Sequence, residues 1–267
     1  MPFDRELQAA LDAARRAGAI ILEAYEHFQA IPDARADIST EADRQSQEAI
    51  LSHLRGLFPG DAFCAEEQTA GLAEVARTGT RLWIVDPIDG TRGFAKKNGE
   101  FSVMIGFVEE GRIGVGVVLE PALRRLTYAT RGGGCWRQDQ EEEPVRCQVS
   151  TTTNLAEATL TESRPRNPGL TLPMRRLEPK RVVLTYSAGI KLALVARAEA
   201  DLYVSTYDTF HDWDLCAGQT LVEEAGGTVT GLRGEELRYG LPGAWQRHGL
   251  LATNGLLHQD AVAKLSD

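Results

Sequence analysis

Three things are scarce in this chain of 267 residues: cysteine in a useful spacing, positive charge in excess, and long apolar runs. The four cysteines, Cys64, Cys135, Cys147 and Cys216, form no CxxC pair and no zinc spacing. They read as free thiols in a reducing, cytoplasmic setting. Lys and Arg number 29 against 38 Asp and Glu, a formal net charge of −9. So acidic a chain has no general attraction for a nucleic acid polymer or an anionic membrane surface. No apolar run approaches the ~20 residues that a membrane helix needs. The charged, amphipathic opening MPFDRELQAALDAARRAG does not resemble a signal peptide.

What is present suits a folded globular protein: 43% hydrophobic and 25% charged residues. The length allows two modest domains or one large one, with a core that needs no disulfide staples. Leu7, Leu11, Ala14, Gly18, Ile21, Leu22 and Tyr25 recur at helical spacing and predict a helix over residues 4–28. Thr40 reads as the N-cap of a second helix, with Asp43 as its capping-box partner, and Pro59-Gly60 as its end. Strands are expected at Leu82–Val85, Phe101–Val108, Ile113–Leu119 and Leu126–Thr130. The second and third of these are joined as an antiparallel hairpin through Glu109-Glu110-Gly111-Arg112. The acidic stretch Gln138–Glu143 reads as a solvated loop, with a domain boundary near residues 138–155. Beyond it, strands at 182–186, 202–205, 228–230 and 250–252 alternate with helices at 188–198 and 214–225. Asn254 is placed to cap a terminal helix, and the whole is an α/β pattern.

The chemistry is concentrated in carboxylates. Asp86 and Asp89 flank Pro87-Ile88 directly after an apolar strand. Proline lacks an N–H, so the chain is expected to leave the sheet there and aim both carboxylates at one point, with the Ile88 carbonyl beside them. Oxygen ligands of this kind suit a hard cation such as Mg²⁺. Gly90-Thr91 follows, and Gly90 is expected to let a ligand approach the backbone. A helix starting here would offer N–H groups to a phosphate. Glu66-Glu67 is a second acidic site, alternatively an exposed helix or loop start. Asp214 in Trp213-Asp214-Leu215-Cys216-Ala217-Gly218 is a third, alternatively a plain N-cap. Crowded carboxylates raise one another's pKa values unless a cation neutralises them. If the fold gathers these sites, a divalent metal is the economical explanation.

Taken together, Thr40-Glu41-Ala42-Asp43, Glu66-Glu67, WIVDPIDGTRGF from Trp83 to Phe94, and WDLCAG…EAGG from Trp213 to Gly227 resemble the lithium-sensitive, Mg²⁺-dependent inositol monophosphatase superfamily. The resemblance implies an α/β (α+β) fold, a layered αβαβα sandwich. It divides the chain into an α+β half (1–145) with most metal ligands and an α/β half (146–267) with the last ligand and substrate contacts. It implies two or three Mg²⁺ ions held by Glu66, Asp86, the Ile88 carbonyl, Asp89 and Asp214. Glu66 is preferred to Glu67 because the family uses the first acid of the pair. It implies catalytic roles for Asp43, Thr91 and Glu66, with Asp43 and Thr91 orienting and activating the attacking water. The backbone N–H groups of Gly90 and Thr91, with Asp89, would meet the substrate.

Asn98-Gly99-Glu100-Phe101-Ser102-Val103 resembles the N-G-E-F-[ST]-V run of the 3′(2′),5′-bisphosphate nucleotidase branch. Ser187-Ala188-Gly189-Ile190-Lys191, with Ala200-Asp201-Leu202-Tyr203, resembles its strand-helix-strand near base and sugar. Ser187 and Lys191 are therefore expected at the substrate; Lys191 is alternatively a surface lysine. Glu100 either braces its loop or touches substrate, and Arg92 is expected to face solvent. Two features depart from the branch: Arg35–Ser39 is short and carries no lysine, and Ala188 and Gly189 stand where serines are expected. The resemblance implies hydrolysis of the 3′-phosphate of adenosine 3′,5′-bisphosphate or its sulfated relative. The alternatives are an inositol-phosphate, histidinol-phosphate or fructose-bisphosphate phosphatase and, of a different class, a non-catalytic nucleotide-binding module. The partner is a small phosphorylated substrate, and relatives are often homodimers.

Overall fold

A computed structural model describes residues 3–35, 38–165 and 169–266. Ala36 and Asp37, in the short segment before Ser39, lie outside the described residues. In chain order the first half holds α1 (Asp4–His27), α2 (Glu41–Leu57), β1 (Ala62–Ala65), α3 (Ala70–Ala73), β2 (Arg81–Asp89), α4 (Thr91–Ala95), β3 (Ser102–Glu109), β4 (Arg112–Glu120), β5 (Arg125–Thr130), β6 (Gly134–Asp139) and β7 (Val145–Cys147). The second holds β8 (Thr159–Glu162), α5 (Leu172–Leu177), β9 (Arg181–Leu184), α6 (Ala188–Ala196), β10 (Leu202–Ser205), β11 (Phe210–His211), α7 (Asp212–Glu224), β12 (Thr228–Thr230), β13 (Trp245–Gln246), β14 (Leu250–Thr253) and α8 (His258–Ser266).

Five layers result. α1 and α2 pack on each other and on one face of a seven-stranded sheet, ordered β1-β2-β3-β4-β5-β6-β7. α6 and α7 cover its other face and also back a five-stranded sheet, ordered β12-β14-β10-β8-β9. α5 and α8 pack together beyond that sheet, α8 on β14. This is the expected αβαβα sandwich. The layer positions follow from composition. α1 buries Leu7, Leu11, Ala14 and Ile21 along one stripe and leaves the other face wet. α6 is apolar nearly all round, as a helix between two sheets must be.

The β3–β4 hairpin turns through Glu110 and Gly111, both at positive φ (53° and 75°), the geometry of a two-residue hairpin turn. Three expectations are corrected. The chain does not leave the sheet at Pro87. It bulges: Asp86 pairs with Met104, the register shifts, and Asp89 pairs again with Ser102. Proline's missing N–H interrupts the ladder only locally. Gln138 and Asp139 are not loop but the end of β6, which pairs with β5 and β7. Glu66-Glu67 does not open an exposed helix, because it directly follows β1, a buried strand parallel to β2. The run Ala62-Phe63-Cys64-Ala65 after Pro59-Gly60 carried that strand signal.

Candidate metal centre

Four carboxylates from three elements converge. β2 delivers Asp86 and, across its bulge, Asp89; the exit of β1 delivers Glu66; the first turn of α7 delivers Asp214. Ligand oxygens of Asp86, Asp89 and Asp214 all lie within 4.8 Å of one another. Glu66 joins them: Asp214 and Asp86 are foremost among the neighbouring groups that act on its carboxyl, ahead of Asp43 and Glu67. The Glu66 amide is tied to the Val85 carbonyl at 3.3 Å, so the acid sits at the same sheet edge.

The electrostatics are those of a site short of positive charge. Burial, then the Asp214 charge, raises the Glu66 carboxyl above its ordinary range. Burial, then Glu66 and Asp89, holds Asp86 well above the carboxylate range. Asp214 is pushed up to about 7, chiefly by burial, with Asp89 and Asp212 adding to it. Glu66 Oε2 and Asp86 Oδ1 are buried without any hydrogen-bond partner. Orphaned anionic oxygens in one cluster are costly unless a cation meets them. All donors here are oxygen, the set a hard divalent cation prefers. The residues present thus fit a metal ion.

Each carboxylate is held in place. Asp89 Oδ2 accepts from the Ser187 hydroxyl, from the Gly189 N–H at 2.7 Å and from Ser102 Oγ at 3.4 Å. All three bonds meet the same oxygen. Asp214 is not the helix cap. His211 occupies that position, and Asp214, three residues on, accepts the His211 N–H at 2.6 Å. Glu67 is drawn away from the cluster: its carboxylate accepts from Ser39 Oγ at 2.7 Å, and Gln47 brackets its backbone, accepting its N–H at 2.9 Å and donating to its carbonyl at 2.6 Å. That division favours Glu66 over its neighbour. Gln47 lies in no motif read from the sequence, and Ser102 and Gly189 lie in the Asn98–Val103 and Ser187–Lys191 runs, where no contact with Asp89 was assigned to them.

Beside the cluster, Thr91 Oγ1 lies 3.0 Å from Asp43 Oδ1 and 2.9 Å from the Ile88 carbonyl. Asp43 is fully buried in the first turn of α2. Its Oδ2 accepts the Thr40 N–H at 2.8 Å and the Thr40 hydroxyl at 2.6 Å, so the expected capping partner is in place. Burial lifts Asp43 to about 6, against the pull of these hydrogen bonds.

Three substrate-side expectations change. Gly90 caps α4, at φ +84°, and the space on the side where a Cβ would stand is filled. A Cβ there would lie 2.8 Å from the Glu100 carbonyl and 3.1 Å from Ser187. Its missing side chain serves chain packing. Ser187 is buried; its hydroxyl caps α6, accepting the Ile190 N–H at 2.9 Å, and meets Asp89. Lys191 is neither at the surface nor free. It is 0% exposed, and its ammonium donates to the carbonyls of Thr185 (3.2 Å), Tyr186 (3.2 Å) and Ser187 (2.7 Å). Burial lowers it to about 8, against the pull of Asp89. Helical spacing located Lys191 on α6 but could not tell which layers would enclose that helix.

The chain matches the model of the inositol monophosphatase family over residues 4–267. It belongs to that family. Members are metal-dependent phosphatases, so this is a phosphomonoesterase of that type. It is 33% identical over 232 residues to a fructose-1,6-bisphosphatase/inositol-1-monophosphatase of Thermotoga maritima, covering 86% of this chain and 83% of that one. It is 31% identical to the histidinol-phosphatase of Mycobacterium tuberculosis, over 98% of each. It is also 31% identical to the 3′(2′),5′-bisphosphate nucleotidase CysQ of Salmonella typhimurium, over 87% of this chain and 93% of that one. Among solved structures, the extragenic suppressor protein suhB of Bartonella henselae superposes with a TM-score of 0.82 at 26% identity, covering 99% of each chain. Among the described residues, no helix is long and apolar enough to cross a membrane, and all four cysteines are free and buried.

Proposed function

We propose that this phosphatase uses Mg²⁺, in a site of two or three ions, to remove the 3′-phosphate of adenosine 3′,5′-bisphosphate. The observation that carries the metal half of this reading is the convergence of Glu66, Asp86, Asp89 and Asp214 with two orphaned carboxyl oxygens. Bound Mg²⁺ would lower the pKa of a water molecule and offset charge on the leaving oxygen. The Ile88 carbonyl completes the proposed ligand set.

The chain's own residues supply orientation and a proton path. Thr91 Oγ1 accepts a hydrogen bond from the attacking water while its own proton points to Asp43 Oδ1, 3.0 Å away. Above pH ~6 Asp43 is ionised and draws that proton. In this reading the N–H groups at Gly90 and Thr91, where α4 begins, would meet the phosphate, and Asp89 would help hold the metal and meet the substrate. Ser187 and Lys191 act from behind: Ser187 holds Asp89, and Lys191 holds the Thr185–Ser187 turn.

The nucleotide half rests on Asn98–Val103 and on the similarity to the bisphosphate nucleotidase. A second reading, a phosphatase of inositol phosphates, fructose 1,6-bisphosphate or histidinol phosphate, is favoured by relatives of equal or higher identity, at 31% and 33% against 31%. A non-catalytic binding module is disfavoured by the intact Glu66, Asp86, Asp89, Asp214 and Thr91. We further read the chain as cytoplasmic, as a homodimer, and as two units at residues 1–145 and 146–267. Phosphate release from adenosine 3′,5′-bisphosphate, inositol 1-phosphate, fructose 1,6-bisphosphate and histidinol phosphate, with Mg²⁺ and with added Li⁺, tests the assignment. The nucleotide should give the highest kcat/KM, and Li⁺ should inhibit. Fast turnover of inositol 1-phosphate with none of the nucleotide would overturn the nucleotide half alone.

A further inference from the structure

Two guanidinium groups converge on one aromatic ring next to the metal centre. The Arg92 guanidinium carbon lies 5.4 Å from the Tyr186 ring centroid and that of Arg164 lies 5.6 Å from it. The two arginines come from opposite halves of the chain, one from α4 and one from the loop after β8. The ring face attracts both, and Glu100 takes up one of them: its carboxylate pairs with Arg164 through both oxygens and accepts the Tyr186 N–H at 3.3 Å. Two cations against one carboxylate leave a positive excess of one, in a chain whose net charge is −9.

The position ties this group to the reaction centre. Arg92 directly follows Thr91, whose hydroxyl meets Asp43, and Tyr186 directly precedes Ser187, whose hydroxyl meets Asp89. Neighbouring Cα atoms are ~3.8 Å apart, so both side chains leave the backbone within one residue of the site. Arg92 Nε is buried with no hydrogen-bond partner, and the Arg164 side chain is 40% exposed. One donor is unspent and the other is reachable.

We propose that Arg92 and Arg164, aligned on Tyr186, form the subsite for a second phosphate group on the substrate. The inference rests on the phosphomonoesterase reading and deepens it: the enzyme selects bisphosphates over the matching monophosphates. Guanidinium groups suit this task because they bind phosphate oxygens bidentately. Arg164 would exchange Glu100 for the incoming anion, and Arg92 would gain the acceptor it lacks.

The test measures kcat and KM for two substrate pairs with Mg²⁺: adenosine 3′,5′-bisphosphate against adenosine 3′-monophosphate, and fructose 1,6-bisphosphate against fructose 1-phosphate. The unaltered protein should show at least a tenfold higher kcat/KM for the bisphosphate in one pair. Arg164→Gln and Arg92→Gln should each cut that ratio at least fivefold, through KM for the bisphosphate. A purely structural role would depress both members of a pair alike and leave the ratio unchanged. An unchanged ratio in both variants, or a ratio near one in the unaltered protein, overturns the subsite while monophosphate turnover keeps the phosphatase reading. No phosphate released from any of the four, nor from inositol 1-phosphate, overturns both.

Discussion

Asp89 Oδ2 accepts the backbone N–H of Gly189, 100 positions further along the chain, at 2.7 Å. A proposed metal ligand at the end of β2 is thereby anchored to the first turn of α6, the helix that separates the two sheets. The same oxygen takes the Ser187 hydroxyl. Geometry in the carboxylate cluster depends on the packing of the two halves against each other.

Ser187→Ala tests this anchoring. It removes the α6 cap, worth ~1 kcal/mol, and a hydrogen bond to a charged group, worth ~1.5–3 kcal/mol. Thermal unfolding should show a loss of about 3 kcal/mol. Outer partners of metal ligands typically affect affinity by ~10–100-fold, so the Mg²⁺ concentration for half-maximal turnover should rise by that order. Unchanged Mg²⁺ dependence would disconnect Ser187 from the centre.

Asp89→Asn should reduce turnover to background while the fold survives. The amide oxygen can still accept from Gly189, but one negative charge leaves a crowded cluster, which relieves repulsion instead of opening a cavity. Circular dichroism and melting temperature check the fold, and phosphate release checks activity. Near-normal turnover removes Asp89 from its assigned role.

The raised carboxyl pKa values have a sign that can be measured in the metal-free protein. Asp214 moves from an ordinary 3.8 to about 7, and Glu66 and Asp86 also move upward. The folded state therefore holds more protons than the unfolded chain between pH ~4 and ~7, and stability falls as pH rises through that window. A bound cation reverses the penalty, because it requires the deprotonated form. The melting temperature without metal should be lower at pH 8 than at pH 5.5, and Mg²⁺ should raise it more at pH 8. A Mg²⁺ shift that is equal at both values would contradict the coupling.

Lys191→Met separates a strut from a substrate contact. The methionine fills the volume but leaves the carbonyls of Thr185 and Tyr186 without their buried donor, while the Ser187 carbonyl keeps the residue-191 backbone N–H at 3.4 Å. Each unsatisfied group costs ~1–3 kcal/mol, and a total loss of about 3 kcal/mol is expected in denaturant unfolding. A rise in KM with stability unchanged would restore Lys191 to the substrate.

The site was legible where chemistry is local. Asp86, Asp89 and Thr91 fall within one short motif, and Thr40 with Asp43 within one capping pattern, so residue types alone exposed them. α1 and the β3–β4 hairpin were legible for the same reason, whereas Asn254 does not cap α8: the helix begins at His258, and Asn254 Oδ1 accepts the Leu257 N–H at 3.1 Å in the turn before it. What stayed hidden depends on contacts distant in sequence. The return of β2 to the ladder at Asp89 is set by Ser102. The burial of Lys191 is set by the sheets on either side of α6. Gly90 was read as room for a ligand because nothing local shows that Ser187 and the Glu100 carbonyl fill that space. β7 escaped notice because a three-residue strand leaves almost no periodicity to read.

The central claim is that Glu66, Asp86, Asp89 and Asp214 share divalent cations. A crystal structure of the unaltered protein soaked in Mn²⁺, with anomalous scattering collected at the manganese edge, examines it directly. Anomalous peaks in coordinating contact with all four carboxylates are predicted. Full-occupancy peaks elsewhere, with none among those oxygens, would contradict the account.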